Sequence, residues 1–163
     1  MVRFLKSANA DAPWGLYDFV ARKELVAPAF RHIGHFQNGQ AVASLGADRV
    51  GVINMQGQWV LPASHYGIAR VNDRLWRVMQ AGGQGEDYER PAALFNDQGR
   101  PLTSFQRLLQ VSDEERGFVT ASGEKNRWIV AADGSGVQDL QDATYSRIGD
   151  WLEIRRAARY GYL

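Results

Sequence analysis

His32 and His35 stand three residues apart, a spacing at which two imidazoles on a bend can share a metal ion. No cysteine exists to complete such a set, and no carboxylate is fixed beside the pair by spacing. His65, the third histidine, falls in the matching segment further along, which suits a structural position better than a ligand. The expectation is no metal and no cofactor. Ser44, Ser64, Ser104 and Ser112 lack the G-x-S-x-G elbow that exposes a nucleophile. Two acidic runs, Glu86-Asp87-Tyr88-Glu89 and Asp113-Glu114-Glu115, could supply the paired carboxylates of a glycosidase, but only if folding opposed them across a cleft. Read along the chain they are solvated loop charge. Gly82, Gly83 and Gly85 resemble a phosphate loop without its Lys-Ser/Thr or a following helix start. No catalytic residue is assigned.

The elements that would hold these residues are short. No window of 11 or more residues keeps an i, i+3, i+4 apolar pattern free of Gly or Pro. Alternating runs bounded by turn residues dominate instead, and Gln106–Arg116 is given no more than a turn or two of helix. Phe36–Pro62 is the clearest stretch, with strands at Ala41–Leu45, Val50–Ile53 and Trp59–Leu61. The same order of strands, named c, a and b, recurs. Strand c is Val2–Lys6, Leu75–Met79, Gly117–Ala121 and Trp151–Arg155; strand a is Gly15–Asp18, Ala93–Phe95, Trp128–Val130 and Gly161–Leu163. Strand b is Leu25–Ala27, a weak Pro101–Thr103 and a segment near Val137. The second residue of strand a (Gly15, Gly51, Ala93, Trp128, Gly161) sets intervals of 36, 42, 35 and 33. A period near 35 with insertions in turns is the sequence signature of a repeat architecture. The units are 1–36, 37–71, 72–110, 111–148 and an incomplete 149–163. Three residues after the marker stand Asp18, Asn54, Asn96 and Ala131, and three further on Ala21, Gly57, Gly99 and Gly134; Asp or Asn followed by Gly is what a capped turn closed at positive φ requires. Connectors carry an aromatic-x-x-aliphatic step: Phe30/Ile33, Phe105/Leu108 and Tyr145/Ile148.

Trp14-Gly15-Leu16-Tyr17-Asp18, Val50-Gly51-Val52-Ile53-Asn54 with Gly57, and Arg159-Tyr160-Gly161-Tyr162-Leu163 resemble the bacterial WG repeat. The literal Trp-Gly occurs at Trp14-Gly15; the third unit has Ala92-Ala93 and the fourth Arg127-Trp128 without the Asp. The resemblance implies a binding or interaction module and brings no common catalytic set.

Composition bounds the rest. The 163 residues are 45% apolar, enough for a core, and 19 basic against 18 acidic residues give a net charge of +1. That balance argues against a nucleic-acid or anionic-membrane surface built on a concentrated basic patch. The one basic knot, Arg155-Arg156 and Arg159 with Arg147 nearby, reads as a solvated turn. No stretch approaches the roughly 18–20 apolar residues of a membrane span. The N-terminal sequence carries no secretory signal as it stands, so a full-length chain is expected in the cytoplasm, and one cut from a longer precursor in the periplasm.

The expected fold is all-β: about five short antiparallel meander units in a curved or propeller-like array, with an open solenoid-like array as the alternative. The five tryptophans are expected in the core. The expected function is a non-catalytic module engaging a protein partner. Its alternatives are an immunity-type protein that neutralises a secreted effector and a hydrolase with loop carboxylates. The long turn Gln80–Arg90 departs most from its counterparts, which makes Glu86, Asp87, Tyr88 and Glu89 the partner-contact candidates.

Overall fold

Runs of five or six alternating residues cut by Gly and Asx turns can satisfy their backbone only by pairing with one another. The computed structural model describes residues 2–5, 12–82, 89–115, 117–141, 143–148 and 151–155, and among them it is all-β. The strands are β1 (Val2–Leu5), β2 (Trp14–Asp18), β3 (Lys23–Phe30), β4 (His32–Ile33), β5 (Gln40–Ser44), β6 (Val50–Asn54), β7 (Trp59–Arg70) and β8 (Leu75–Gln80). They continue with β9 (Ala92–Asn96), β10 (Gln110–Val111), β11 (Phe118–Ser122), β12 (Arg127–Ala131), β13 (Val137–Asp139), β14 (Thr144–Ile148) and β15 (Trp151–Arg155). Four sheets, β1–β3, β4–β9, β10–β13 and β14–β15, keep chain order throughout, and none closes into a barrel. The would-be strand Gly161–Leu163 lies outside the described residues.

The connectors differ from expectation: all but Phe105–Leu108, which holds only the bridge of Gln106 to Ala92, are strands or run into one. His32 and Ile33 pair with Ser44 and Ala43, Gln110 and Val111 with Ser122 and Ala121, and β14 with β15 along its length. In β7 strand and connector are one element of 12 residues. Its first half pairs with β6 and its second with β8, and His65, partner of both Val50 and Gln80, is the changeover. Register shifts on either side bend the strand between its two neighbours. A segment running from one strand group to the next needs partners for its own N–H and C=O groups, and the next strand c supplies them. Strand b of the third unit is the exception. Pro101 has no N–H to donate, and a bridge to Phe95 with bonds to Leu94 O from Leu102 N (2.8 Å) and Thr103 N (3.4 Å) stand in place of a ladder. The Thr103 hydroxyl takes over, accepting from Leu94 N at 3.0 Å.

The Asx–Gly turns have the expected mechanics. Asn54 Oδ1 accepts from Gln56 N (3.0 Å) and Gln58 N (2.9 Å), and Asn96 Oδ1 from Gln98 N (3.1 Å) and Arg100 N (2.9 Å). Gly57 and Gly99 close these turns at φ of 76° and 80°. Both glycines also answer to packing. A side-chain carbon on Gly57 would run into Val26, and one on Gly99 into the carbonyl oxygen of Val60, which are matching positions in the two preceding b strands.

Because successive side chains of a strand point to opposite faces, one strand can feed two cores. Ile53 packs with Leu16, Phe30, Ile33, Ala41 and Ala43, while its neighbour Val52 packs with Leu61, Trp76, Val78, Ala93 and Phe95. In β9, Ala93 and Phe95 join that second cluster, and Ala92 and Leu94 face a third with Leu75, Val119, Trp128 and Val130. Each of these three clusters draws on two successive stretches of the chain. Trp76 and Trp128 are buried there, and Trp14 is half-buried. Trp59 departs from expectation: it is 38% exposed, lying over Gly51 and edge-on to Phe30 at 5.6 Å. Gly51 leaves room for that indole.

Candidate functional site: an acidic cleft with an aromatic floor

Of the partner-contact candidates, Glu86, Asp87 and Tyr88 lie outside the described residues. Glu89 is half-buried, next to Arg90, whose guanidinium sits 3.6 Å over the Tyr66 ring. His32 and His35 are exposed and His65 half-buried, and among the described residues no three of His, Asp and Glu gather as a metal-holding group. Ser112 is committed to the backbone: its Oγ accepts from Thr120 N at 2.9 Å and donates to Asp113 O at 3.0 Å.

That commitment helps to form a cleft. Beyond β10, Ser112 N donates to Thr120 O (2.9 Å), holding the chain against β11. Glu115 and Phe118 then exchange backbone bonds of 2.8 and 3.1 Å around Gly117, at φ of 84°, which turns the chain back. Asp113, Glu114 and Glu115 thereby stand along one wall of a cleft of about 380 Å³. Its floor is apolar: Phe118 of β11, Ile129 of β12 and Tyr145 of β14, the last 44% exposed. Phe118 also rests on a small cluster of Ile129, Leu140 and Ala143, which fixes the floor.

A second cleft, of about 500 Å³, shares Glu114 and Phe118 and adds Asp73, Arg74 and Asp133. Asn72 Nδ2 ties the two sides together, donating to Glu114 Oε2 at 2.8 Å and to Ala132 O at 3.0 Å. Arg74 is engaged elsewhere: Nη1 meets Asp97 Oδ2 at 2.6 Å, and that hydrogen bond, with the negative charge of Asp97, Asp133 and Asp73, raises its pKa above the usual arginine value. Hydrogen bonds from Ser135, side chain and backbone, hold Asp133 below the usual carboxylate range. The adjoining clefts therefore carry Asp73, Asp113, Glu114, Glu115 and Asp133, and one arginine already paired. Arg116, within the acidic run, lies outside the described residues.

A cleft lined by aromatic side chains and carboxylates suits a lysine or arginine side chain. The stem loses water against Phe118 and Ile129, the charge meets carboxylates, and an aromatic face adds a cation–π term. The sequence marks the acidic run but not its aromatic neighbour, since Tyr145 arrives from a different sheet. The signal available was the polar setting of Tyr145 in its aromatic-x-x-aliphatic step, where the tyrosine of Ala-Thr-Tyr-Ser-Arg has no apolar neighbour one residue away.

At the β7 changeover, His65 has a buried Nε2 with no hydrogen-bond partner, and its ring lies 6.2 Å from Phe95. Burial pushes its pKa below the usual histidine value. Above about pH 6.5 both folded and unfolded states hold it neutral, and it adds no pH dependence. As the pH falls through that value the unfolded chain takes the proton first, so stability falls until the lower folded-state pKa is passed. Denaturant midpoints measured from pH 7.5 down to pH 5 are expected to fall more steeply for the wild type than for His65→Leu. Parallel curves would show that His65 titrates alike in both states.

No family model matches this chain and no curated protein matches it, so what the cleft can bind rests on its own lining.

Proposed function

We propose that this protein is a non-catalytic binding module that engages a protein partner through the acidic cleft, taking up a basic segment of it. The observation that carries this reading is that Phe118, Ile129 and Tyr145 line one cleft together with Asp113, Glu114 and Glu115. Carboxylates in that position repel phosphate and favour a cationic chain over a nucleic acid. The hydrolase alternative gains no support here, because those three carboxylates are consecutive residues of one run rather than two groups opposed across a substrate. An immunity-type role is a special case of the same reading, in which the basic segment belongs to an effector.

We read the scaffold as stacked WG-like meander units. The matching turns at Asn54 and Asn96, and the matching contacts of Gly57 and Gly99 with the preceding b strands, support this. A rigid array of this kind carries binding groups on turns and on faces between units.

The test is titration with short peptides of mixed lysine, arginine and aromatic residues, against acidic peptides of the same length. Binding is expected for the basic set alone, weakening as salt screens the cleft. Tyr145→Ala and Glu114→Lys should each weaken it by about tenfold or more, the effect of removing a contact worth about 1.4 kcal/mol. Basic peptides that bind both variants as they bind the wild type would rule the cleft out.

A further inference from the structure

Asp97, in the turn after β9, lines neither acidic cleft, but it holds a residue that does. Arg74 shares the larger cleft with Asp73, Glu114 and Asp133, and its Nη1 donates to Asp97 Oδ2 at 2.6 Å. Among the described residues lining the two clefts, Arg74 is the one cation.

The two partners of this pair stand in different surroundings. The Asp97 side chain is 13% exposed, that of Arg74 59%. Asp97 Oδ1 is buried without a hydrogen-bond partner, so the bond from Arg74 is the one this carboxylate has among the described residues. A carboxylate drawn out of water is costly unless a cation stays beside it, and that cost keeps Arg74 in place. Both ends of the pair start from fixed backbone. Gln40 Nε2 donates to Asp97 O at 2.7 Å, and Gly99 N closes the turn on Asn96 O at 3.0 Å. On the other side Arg74 N donates to Asn72 Oδ1 at 2.9 Å, and the same Asn72 holds Glu114.

Charge decides where Arg74 would go without that partner. The negative charge of Asp133 and Asp73 already acts on its guanidinium, and both carboxylates are exposed. Turned toward them, Arg74 would cancel the charge that a basic segment comes to meet. A cation on the same chain competes at a high effective concentration with one supplied from outside.

We infer that Asp97 is a positioning residue for the acidic cleft: by holding Arg74 it keeps the protein's own cation off Asp73, Glu114 and Asp133. This rests on the acidic cleft binding a basic segment, and it adds what leaves the carboxylates open to that segment. Asp97 acts through Arg74 and does not itself meet the ligand.

The test is a double-mutant cycle, read by titration calorimetry with a short oligolysine peptide at low salt, where exposed charges are least screened. Asp97→Asn keeps the volume of the turn residue and removes the charge that holds Arg74. It should weaken binding about fivefold, the range open to an exposed ion pair that competes for the site. Asp97→Glu, which keeps a carboxylate on the turn, should bind within about twofold of the wild type. In an Arg74→Gln background, adding Asp97→Asn should change the affinity by less than about twofold, because no arginine is left to release. Damage to the turn itself would not be cancelled by removing Arg74. A loss in Asp97→Asn that persists undiminished in the Arg74→Gln background would overturn the inference. Oligolysine that binds the wild type and Asp97→Asn alike sinks the positioning role and leaves the cleft reading standing; oligolysine that binds neither sinks both.

Discussion

Gly99→Ala is expected to lower the free energy of unfolding by about 3 kcal/mol, combining a left-handed backbone with a collision. At φ of 80° an alanine costs about 1–2 kcal/mol on backbone grounds alone. The added carbon also meets the carbonyl oxygen of Val60, which is backbone and cannot rotate away. Gly82 is the control, for its φ of 79° is nearly the same and nothing lies within 4 Å of the position a side-chain carbon would take. Urea denaturation of Gly82→Ala should therefore show only the backbone cost, about 1–2 kcal/mol. Gly57→Ala should fall between them, because the side chain of Val26 that it meets can adjust. Equal losses at Gly99 and Gly82 would mean that the turn glycines are required for φ and not for the approach of one stretch to the next.

The second large effect is at Trp76, and Trp76→Ala is expected to cost about 4 kcal/mol. This side chain is 1% exposed, in the cluster where β6 and β7 meet β8 and β9. It is also a polar junction. The indole N–H donates to Gln40 Oε1 at 3.2 Å, the Gln40 amide donates to Asp97 O at 2.7 Å, and the Arg70 guanidinium lies 4.0 Å over the ring. Arg70 in turn donates to Gln37 O at 3.1 Å, so Arg70, Trp76 and Gln40 together link the turns at Gln37 and Asp97. Trp76→Phe keeps most of the volume and loses the N–H, and should cost about 1–2 kcal/mol. If it were as damaging as alanine, the hydrogen bond and not the buried area would govern this junction.

Much of the fold was legible because it is local. A strand of alternating residues, a short polar side chain and a glycine three places later are fixed by neighbours in the chain. Val50–Ile53, Leu75–Met79 and Trp128–Val130 are accordingly found within a residue of where they were expected. The connectors were not legible as strands. Whether His32-Ile33 or Gly67–Arg70 pairs with anything depends on where a later strand lies, and no local pattern states that. Trp59 shows the same limit, since its side chain covers Gly51 at the surface rather than filling the core that its type suggested.

The acidic run Asp113-Glu114-Glu115 is plain in the sequence as charge, and alone it reads as solvated loop. Only the tertiary structure brought Phe118, Ile129 and Tyr145 into one cleft with it, because that depends on Tyr145 of a separate sheet reaching residues of β11 and β12. The exposure of Phe19 and Val20 was likewise undetermined, for an apolar pair in a turn is equally consistent with burial under a neighbour. The sequence by itself determined strand type, turn chemistry and the balance of charge, which are interactions between residues a few places apart. Which apolar groups lie beside which charges was decided only when distant strands packed, because contact in space is what changes the solvation of a charge and the cost of exposing a ring.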